Sequence, residues 1–355
     1  MAAGIKLGSV DISKLYLGST ELSAAYLGAD KLYPTTSVKR IFTTKWVSGV
    51  GSIIQSWNKN TKQLIATSPT VDIGGKNKIY IHPTMNYIYS LNGTTVTQYD
   101  KNTLQIIKTA TNIGGTAYDL MIDNDGTLWI TLVLYVSPNY NNKYIKMLPD
   151  TLVFGSPYQL LSATSGRTPG PIFNSNDNLS FYYDPLGIGS SIGSSHKIHK
   201  VTKYTTAYTQ LTGNSFVNTY ALKNEFPYLY AGRGTLYYNI LRTQYEPATT
   251  ATLTTPTTGG AFLDVLIDTN YIYGINNGSN NIFKYDKTTL SYIASSADLG
   301  YASSFMALDE NYIYVASFLT NNVKYYDKDT LSYVGEIANS AINGSSTANF
   351  IVVEV

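Results

Sequence analysis

The chain contains no cysteine, which excludes a disulfide scaffold, a thiolate metal centre and a cysteine nucleophile. Charge is scarce as well. Asp, Glu, Lys and Arg make up 14% of the residues and the formal net charge is +2, so the clustered cations of a nucleic-acid groove are missing. The three histidines are His82, His196 and His199, and on a strand the last two fall on opposite faces. No metal and no cofactor is expected. No stretch approaches the roughly 18 apolar residues of a membrane span. The amino terminus, Met1-Ala2-Ala3-Gly4-Ile5-Lys6, lacks the charged leader and apolar run of a signal peptide. The expectation is a protein made in the cytoplasm without membrane insertion.

Tyrosine is in excess, with 32 residues against 11 Phe and 3 Trp. Its ring packs in half-buried strands while its hydroxyl reaches water or a partner, and packing accounts for most of the 32. The motif Tyr285-Asp286-Lys287-Thr288-Thr289-Leu290 returns at Tyr326 to Leu331 and is anticipated at Tyr99 to Leu104. With its threonine as ruler, looser copies fall at Thr61, Thr151, Thr205 and Thr243, giving spacings of 42, 48, 54, 38, 46 and 41 residues. Periods near forty, with aromatic strands and turn residues between them, indicate a β-propeller with one four-stranded blade per repeat. Because the motif recurs, its Asp and Lys read as turn chemistry, with Asp and Thr bonding backbone amides, and not as a catalytic pair.

Residues 1–34 carry a different, ten-residue repeat. Leu7-Gly8-Ser9, Leu17-Gly18-Ser19 and Leu27-Gly28-Ala29 open successive units, Ile12, Leu22 and Leu32 share one offset, and Tyr16, Tyr26 and Tyr33 close them. Each unit reads as two extended pieces around a turn. Three such units hold too few apolar residues for a core of their own, so they are expected to gain order by docking onto something else or by associating with copies of themselves.

The clearest full repeat spans residues 303–337, as strands Ser303–Leu308, Tyr312–Ser317, Val323–Tyr326 and Leu331–Ile337, termed a to d from the axis outwards. Strand a is expected again at Lys78–Pro83, Tyr118–Asp123, Pro171–Asn174, Phe216–Leu222 and Phe262–Asp268, and a seventh only in Asn349–Val355. The first repeat begins directly with a b-like strand, Val38–Thr44. These deficits are complementary, and the expected architecture is all-β: a seven-bladed propeller over residues 35–355, closed by Phe350 to Val353, behind a short attachment segment, 1–34. Closure removes a sheet edge that would otherwise template aggregation.

Connection length varies mainly between b and c and between d and a, at Tyr135–Lys143, Ser162–Pro171 and Asp184–Lys197. A meander sends both of these connections to one face, which makes that face the candidate surface. Arg167 and Arg233 fall there, with Arg233 between Gly232 and Gly234. Other motifs have simpler readings. Asp123-Asn124-Asp125-Gly126 looks like a calcium loop or an Asp-box, but Leu134 stands where a calcium loop needs glutamate, and an a-to-b hairpin explains it. The Ser-Gly run Gly187–Ser195 lacks a phosphate-loop ending.

The decamers from Lys6 to Leu22 resemble the Leu-Gly-Ser-Thr-x-Ile-Ser-Lys-Val-Tyr repeats at the amino ends of tail, fibre or head-fibre proteins in tailed bacteriophage virions. The likeness covers about 34 of 355 residues and fades in the third unit, where Ala29 replaces Ser. The later repeats resemble propellers of the Tyr-Val-Thr-Asn or NHL kind, which implies fold only. The phage resemblance implies a virion location, docking of Leu7, Ile12, Tyr16, Leu17, Leu22, Tyr26 and Leu27 on other virion proteins, and several copies per particle. The expected function is non-enzymatic binding of a host-surface glycan or protein through Tyr135, Tyr140, Asn141, Asn142, Arg167, Tyr183, Asp184 and Arg233. The alternative is a purely architectural tail, collar or capsid part. A polysaccharide-degrading enzyme is less expected, since Asp264, Glu225 and Glu246 are the few acids outside turns.

Overall fold

The computed structural model describes the strand segments 5–7, 10–12, 16–17, 20–21, 25–27 and 30–33. From residue 38 onward it describes all but 48–50, 71–78, 137–138, 164–171, 175–178, 184–194, 206–207, 218, 226, 234–238, 245–248, 254–258, 301–302, 318–321, 338–345 and 355. The described residues are all β and form a propeller.

From residue 40 on, the strands assemble into seven four-stranded antiparallel sheets, each ordered a-b-c-d. Sheet 1 takes Ser346–Val353 as its first strand and continues with Arg40–Val47, Gly51–Asn58 and Leu64–Thr67. Sheet 2 spans Ile79–Ala110, sheet 3 Thr116–Ala163, sheet 4 Ile172–Val217, sheet 5 Thr219–Leu253, sheet 6 Phe262–Ser295 and sheet 7 Ser303–Ile337. Phe350, Ile351, Val352 and Val353 pair with Thr44, Thr43, Phe42 and Ile41. The same strand packs beside the first strands of sheets 7 and 2. Residues 5–33 form three separate two-stranded hairpins, Ile5–Leu7 with Val10–Ile12, Tyr16–Leu17 with Thr20–Glu21, and Ala25–Leu27 with Asp30–Tyr33.

Alternation explains how the sheets stack, because successive residues of one strand face opposite neighbours. Ile41 packs with Trp57, Tyr314 and Ile351 toward sheet 7, while Phe42 packs with Ile54, Ile88 and Tyr99 toward sheet 2. The core is therefore a series of slabs between sheets. Tyrosines fill these slabs: Tyr89, Tyr99, Tyr144, Tyr230, Tyr273, Tyr285 and Tyr314 are all fully buried. Burial pushes the phenols of Tyr89, Tyr144 and Tyr230 up to about 12.

The c-to-d turns carry the repeated motif. Asp286 Oδ1 accepts the amides of Thr288 and Thr289 at 2.9 and 2.6 Å and the Thr289 hydroxyl at 2.9 Å. Asp100 with Thr103 and Asp327 with Thr330 repeat this arrangement. These donors hold the Asp286 and Asp327 carboxyls below the usual carboxylate range, the amide of the motif threonine contributing most. The following residue adopts the left-handed region, at Leu104, Leu290 and Leu331 with φ of 59°, 62° and 59°. An L-residue there is strained by about 1 kcal/mol. Burial of Leu104 and Leu331 offsets it, since burying a leucine contributes about 1.5–3 kcal/mol.

Three sequence expectations need correction. Tyr135–Lys143 is not a long loop: Leu128–Val136 and Asn139–Met147 pair along nine residues, including Tyr135 with Tyr140, Leu134 with Asn141 and Val133 with Asn142. The β-rich run Leu-Trp-Ile-Thr-Leu-Val-Leu-Tyr-Val carries its asparagine-rich partner into the ladder. Phe216 belongs to the last strand of sheet 4, Tyr208–Val217, and the first strand of sheet 5 is Thr219–Glu225. Gly213-Asn214 reads as a strand break, yet the ladder passes it with a register shift between Lys197 and His199. Thr243 lies within the ladder, paired with Leu229 and Thr250, and is no turn marker.

Candidate binding surface

The face with the a-to-b and c-to-d turns is closed by ion pairs. In five sheets a lysine at the c-to-d turn reaches an acid at the end of strand a or in the a-to-b turn of the preceding sheet. Lys101 meets Glu354 at 2.8 Å, Lys203 meets Asp123 at 2.9 Å, Lys287 meets Glu225 at 2.5 Å and Lys328 meets Asp268 at 3.2 Å. Lys59 bonds Glu310 and lies 3.9 Å from Asp309. The Lys59 hydrogen bond holds the Glu310 carboxyl down at about 2. Sequence reasoning assigned the motif's Asp and Thr to the turn and missed its Lys. Recurrence of Lys opposite recurrent acids was the available signal.

The seam between sheets 2 and 3 replaces both partners together. Pro149 stands in the turn where those five seams carry lysine, and His82 stands where they carry the acid. His82 Nδ1 accepts the amides of Met85 and Thr84 at 3.0 and 3.3 Å, which puts the proton on Nε2, 3.0 Å from the Gly126 carbonyl of sheet 3. Gln98 Nε2 donates to the Pro149 carbonyl at 2.7 Å. Neutral bonds thus take over from charge.

The described residues among those selected from the sequence belong to the opposite face. Tyr135, Tyr140, Asn141 and Asn142 sit on the sheet 3 hairpin, which is nine residues long where the b and c strands of sheets 2 and 6 have six. At about 3.4 Å per residue, three extra residues make these strands about 10 Å longer. Asn142 is buried and Asn141 half-buried. Tyr183 ends the second strand of sheet 4, opposite Ile172 and His199. Arg167 and Asp184 lie outside the described residues. Arg233 corrects an expectation. It is the last residue of Tyr228–Arg233, pairs with Thr219, donates its amide to Asn239 at 2.9 Å and is only 8% exposed. A strand position between packed sheets, not a glycine-flanked loop, sets that burial. The structure thus groups the sheet 3 residues and brings Tyr183 to the neighbouring sheet.

The acids considered for hydrolysis are engaged elsewhere. Asp264 accepts the Met306 amide of the next sheet at 2.8 Å and the Val265 amide at 2.9 Å. Glu225 pairs with Lys287, and Glu246 lies outside the described residues. Asp123 receives Trp129 Nε1 at 2.7 Å, Lys203 at 2.9 Å and the Asp125 and Thr127 amides, so its oxygens are taken up by the hairpin and by the ammonium of sheet 4. Among the described residues no group of three or more His, Asp or Glu could hold a metal.

A groove of about 550 Å³ opens on the outer rim between sheets 6 and 7. Its floor is Leu299, Tyr326 and Leu331, all buried, and exposed Tyr333, Asp298 and Glu336 stand around it with Lys324. A second groove of about 470 Å³ occupies the matching place between sheets 2 and 3, lined by Lys108–Ala110 and Thr151–Phe154.

No protein-family model and no curated protein matches the chain. Solved structures do. A functionally unknown protein from Desulfotomaculum acetoxidans DSM 771 superposes with a TM-score of 0.62 at 13% identity, over 88% of this chain and 98% of that one. A Bacteroides fragilis NCTC 9343 protein, provisionally named a 6-phosphogluconolactonase, gives 0.61 at 14%, over 91% and 100%. The computationally designed Ika8 protein gives 0.53 at 11%, over 88% and 90%. The fold is that of a β-propeller. Identities this low carry the fold and no activity.

Proposed function

We propose that this chain is a non-enzymatic surface protein of a tailed-phage virion, held by residues 1–34 and presenting its propeller to a host-surface glycan or protein. In this reading the seven sheets are seven blades, and Ser346–Val353 closes the ring by completing the first. The decamer resemblance supports the virion location, and the three hairpins of residues 5–33 suit a segment that docks onto other virion proteins.

The observation that carries the binding role is the raised hairpin of sheet 3. Tyr135, Tyr140 and Asn141 lie in the part of this hairpin by which it is longer than the six-residue strands of sheets 2 and 6, which supports a binding role for them. Tyr rings offer faces for stacking and Asn amides bond hydroxyls or peptide groups. Copy number on a particle multiplies weak single sites. Fluorescently labelled full-length protein is expected to bind host cells at micromolar concentration and to lose binding on Tyr135→Ala/Tyr140→Ala. Absence of binding by the folded protein removes the adhesin reading. Labelling on the particle then decides for the architectural alternative if the protein is buried in a ring.

A further inference from the structure

We infer that the rim groove between sheets 6 and 7 is a second ligand site, separate from the raised hairpin, and that it takes a neutral saccharide. Its volume of about 550 Å³ suits a sugar unit, since small-molecule pockets run from about 300 to 1,000 Å³. The surfaces match in kind. Leu299, Leu331 and Tyr326 make an apolar floor that is 5% exposed or less. Tyr333 is 55% exposed and rests edge-on against Tyr326, with ring centroids 5.8 Å apart and planes at 68°. That contact props one ring and leaves its neighbour in solvent, as stacking on the apolar face of a pyranose requires.

The polar groups specify hydroxyls. Asp298 and Glu336 are exposed at the groove, and carboxylates accept strong hydrogen bonds from hydroxyl donors. Lys324 Nζ donates to the Leu299 carbonyl at 2.9 Å, which fixes one wall of the groove to its floor. Two carboxylates against one ammonium disfavour an anionic sugar.

The groove between sheets 2 and 3 is an internal comparison. It has nearly the same size and place, with Lys108, Thr109, Thr151 and Phe154 in its lining and, among the described residues, no carboxylate. With Phe154 packed against the core and no carboxylate to accept hydroxyls, it should bind sugar more weakly.

The test uses the full chain and methyl glycosides of glucose, galactose, mannose and N-acetylglucosamine at about 10 mM, which populates a millimolar site. Saturation-transfer NMR is expected to show contact with at least one glycoside. Measured in the Tyr135→Ala/Tyr140→Ala background, which removes any contribution of the hairpin, the signal should vanish in Tyr333→Ala, fall at least about tenfold in Glu336→Gln, roughly 1.5 kcal/mol as for one charge-assisted hydrogen bond, and persist in Val153→Ala. All three residues are exposed, so unchanged thermal unfolding is the control for folding. No transfer from any of the four glycosides, or transfer that survives Tyr333→Ala in the Tyr135→Ala/Tyr140→Ala background, overturns the assignment. Tyr135→Ala/Tyr140→Ala should leave the signal intact, so failure here and failure of the cell-binding reading are separate results.

Discussion

Sheets 2, 6 and 7 build the c-to-d turn on an aspartate with its threonine, whereas the aspartate position holds Leu148 in sheet 3 and Thr202 in sheet 4. Strand length diverges as well. The b and c strands of sheets 2 and 6 are six residues long, while those of sheet 3 have nine and the c and d strands of sheet 4 have eight and ten. The regular sheets supply the frame, and the extended ones add ladder on the b-to-c face. Sheet 1 keeps its turn, with Asn58 accepting the Asn60 and Thr61 amides, and still has b and c strands of eight residues, so strand extension does not require relaxed turn chemistry.

The sharpest break in this comparison is expected from removing residues 348–355. That takes the strand that pairs with Arg40–Val47 and packs against sheets 7 and 2, and it exposes unpaired edges. Cooperative thermal unfolding should be lost, with aggregation in its place. A truncated chain that unfolds cooperatively near the full-length midpoint would show the frame to be independent of that strand.

Next in size are the inter-sheet ion pairs. Lys203 and Asp123 are both nearly inaccessible, with side chains 2% and 4% exposed. Lys203→Met should cost about 3 kcal/mol in urea unfolding, because it strands a buried carboxylate. Lys287→Met breaks a pair exposed by 21% and 38% and should cost no more than about 1 kcal/mol. Equal losses would mean that the seams of the extended and regular sheets are equivalent.

Glu310 gives a pH signature for the seam between sheets 7 and 1. Its carboxyl is held down at about 2 from an ordinary 4.5, first by the Lys59 hydrogen bond. A depressed acid stabilises the folded state above its unfolded value, and that contribution disappears as pH falls toward the folded one. Urea midpoints should therefore drop between pH 4.5 and 2, less steeply in Lys59→Met and less steeply in high salt, since half of the Glu310 side chain is exposed. An identical slope in Lys59→Met would remove Glu310 from the account. The smallest effect is expected from Thr289→Val, which deletes the exposed hydroxyl bond to Asp286 and the long one it accepts from the Ser291 amide and should cost about 0.5 kcal/mol.

The regular sheets were legible because Tyr-Asp-Lys-x-Thr-Leu ties each residue to a local duty. Asp and Thr close the turn, Tyr285 and Tyr326 fill slabs, and Leu104 and Leu331 turn the chain with φ above zero while remaining buried. Complementary strand deficits at the two ends pointed to the pairing of Phe350–Val353 with Ile41–Thr44. Sheets 3 to 5 were less legible, because asparagine-rich and glycine-containing stretches read as loops until their partner strands are known. Asn139–Met147 and Tyr208–Val217 are held in ladders by neighbours distant in sequence, as β propensity depends on context. Arg233 fails for the same reason: flanking glycines announce exposure, while tertiary packing buries it. Neither rim groove has a local signature, since each arises from two sheets meeting.

Engineered cysteines test the pairing at the centre of the account most directly, because the chain has none of its own. Ile351 lies opposite Thr43, and antiparallel partners fall within the Cα separation that a disulfide spans. On oxidation, Thr43→Cys/Ile351→Cys is expected to form an intramolecular cross-link in high yield and to unfold at a higher temperature than its reduced form. Cysteines that stay reduced in the folded protein, or that link only between molecules, would contradict the closure.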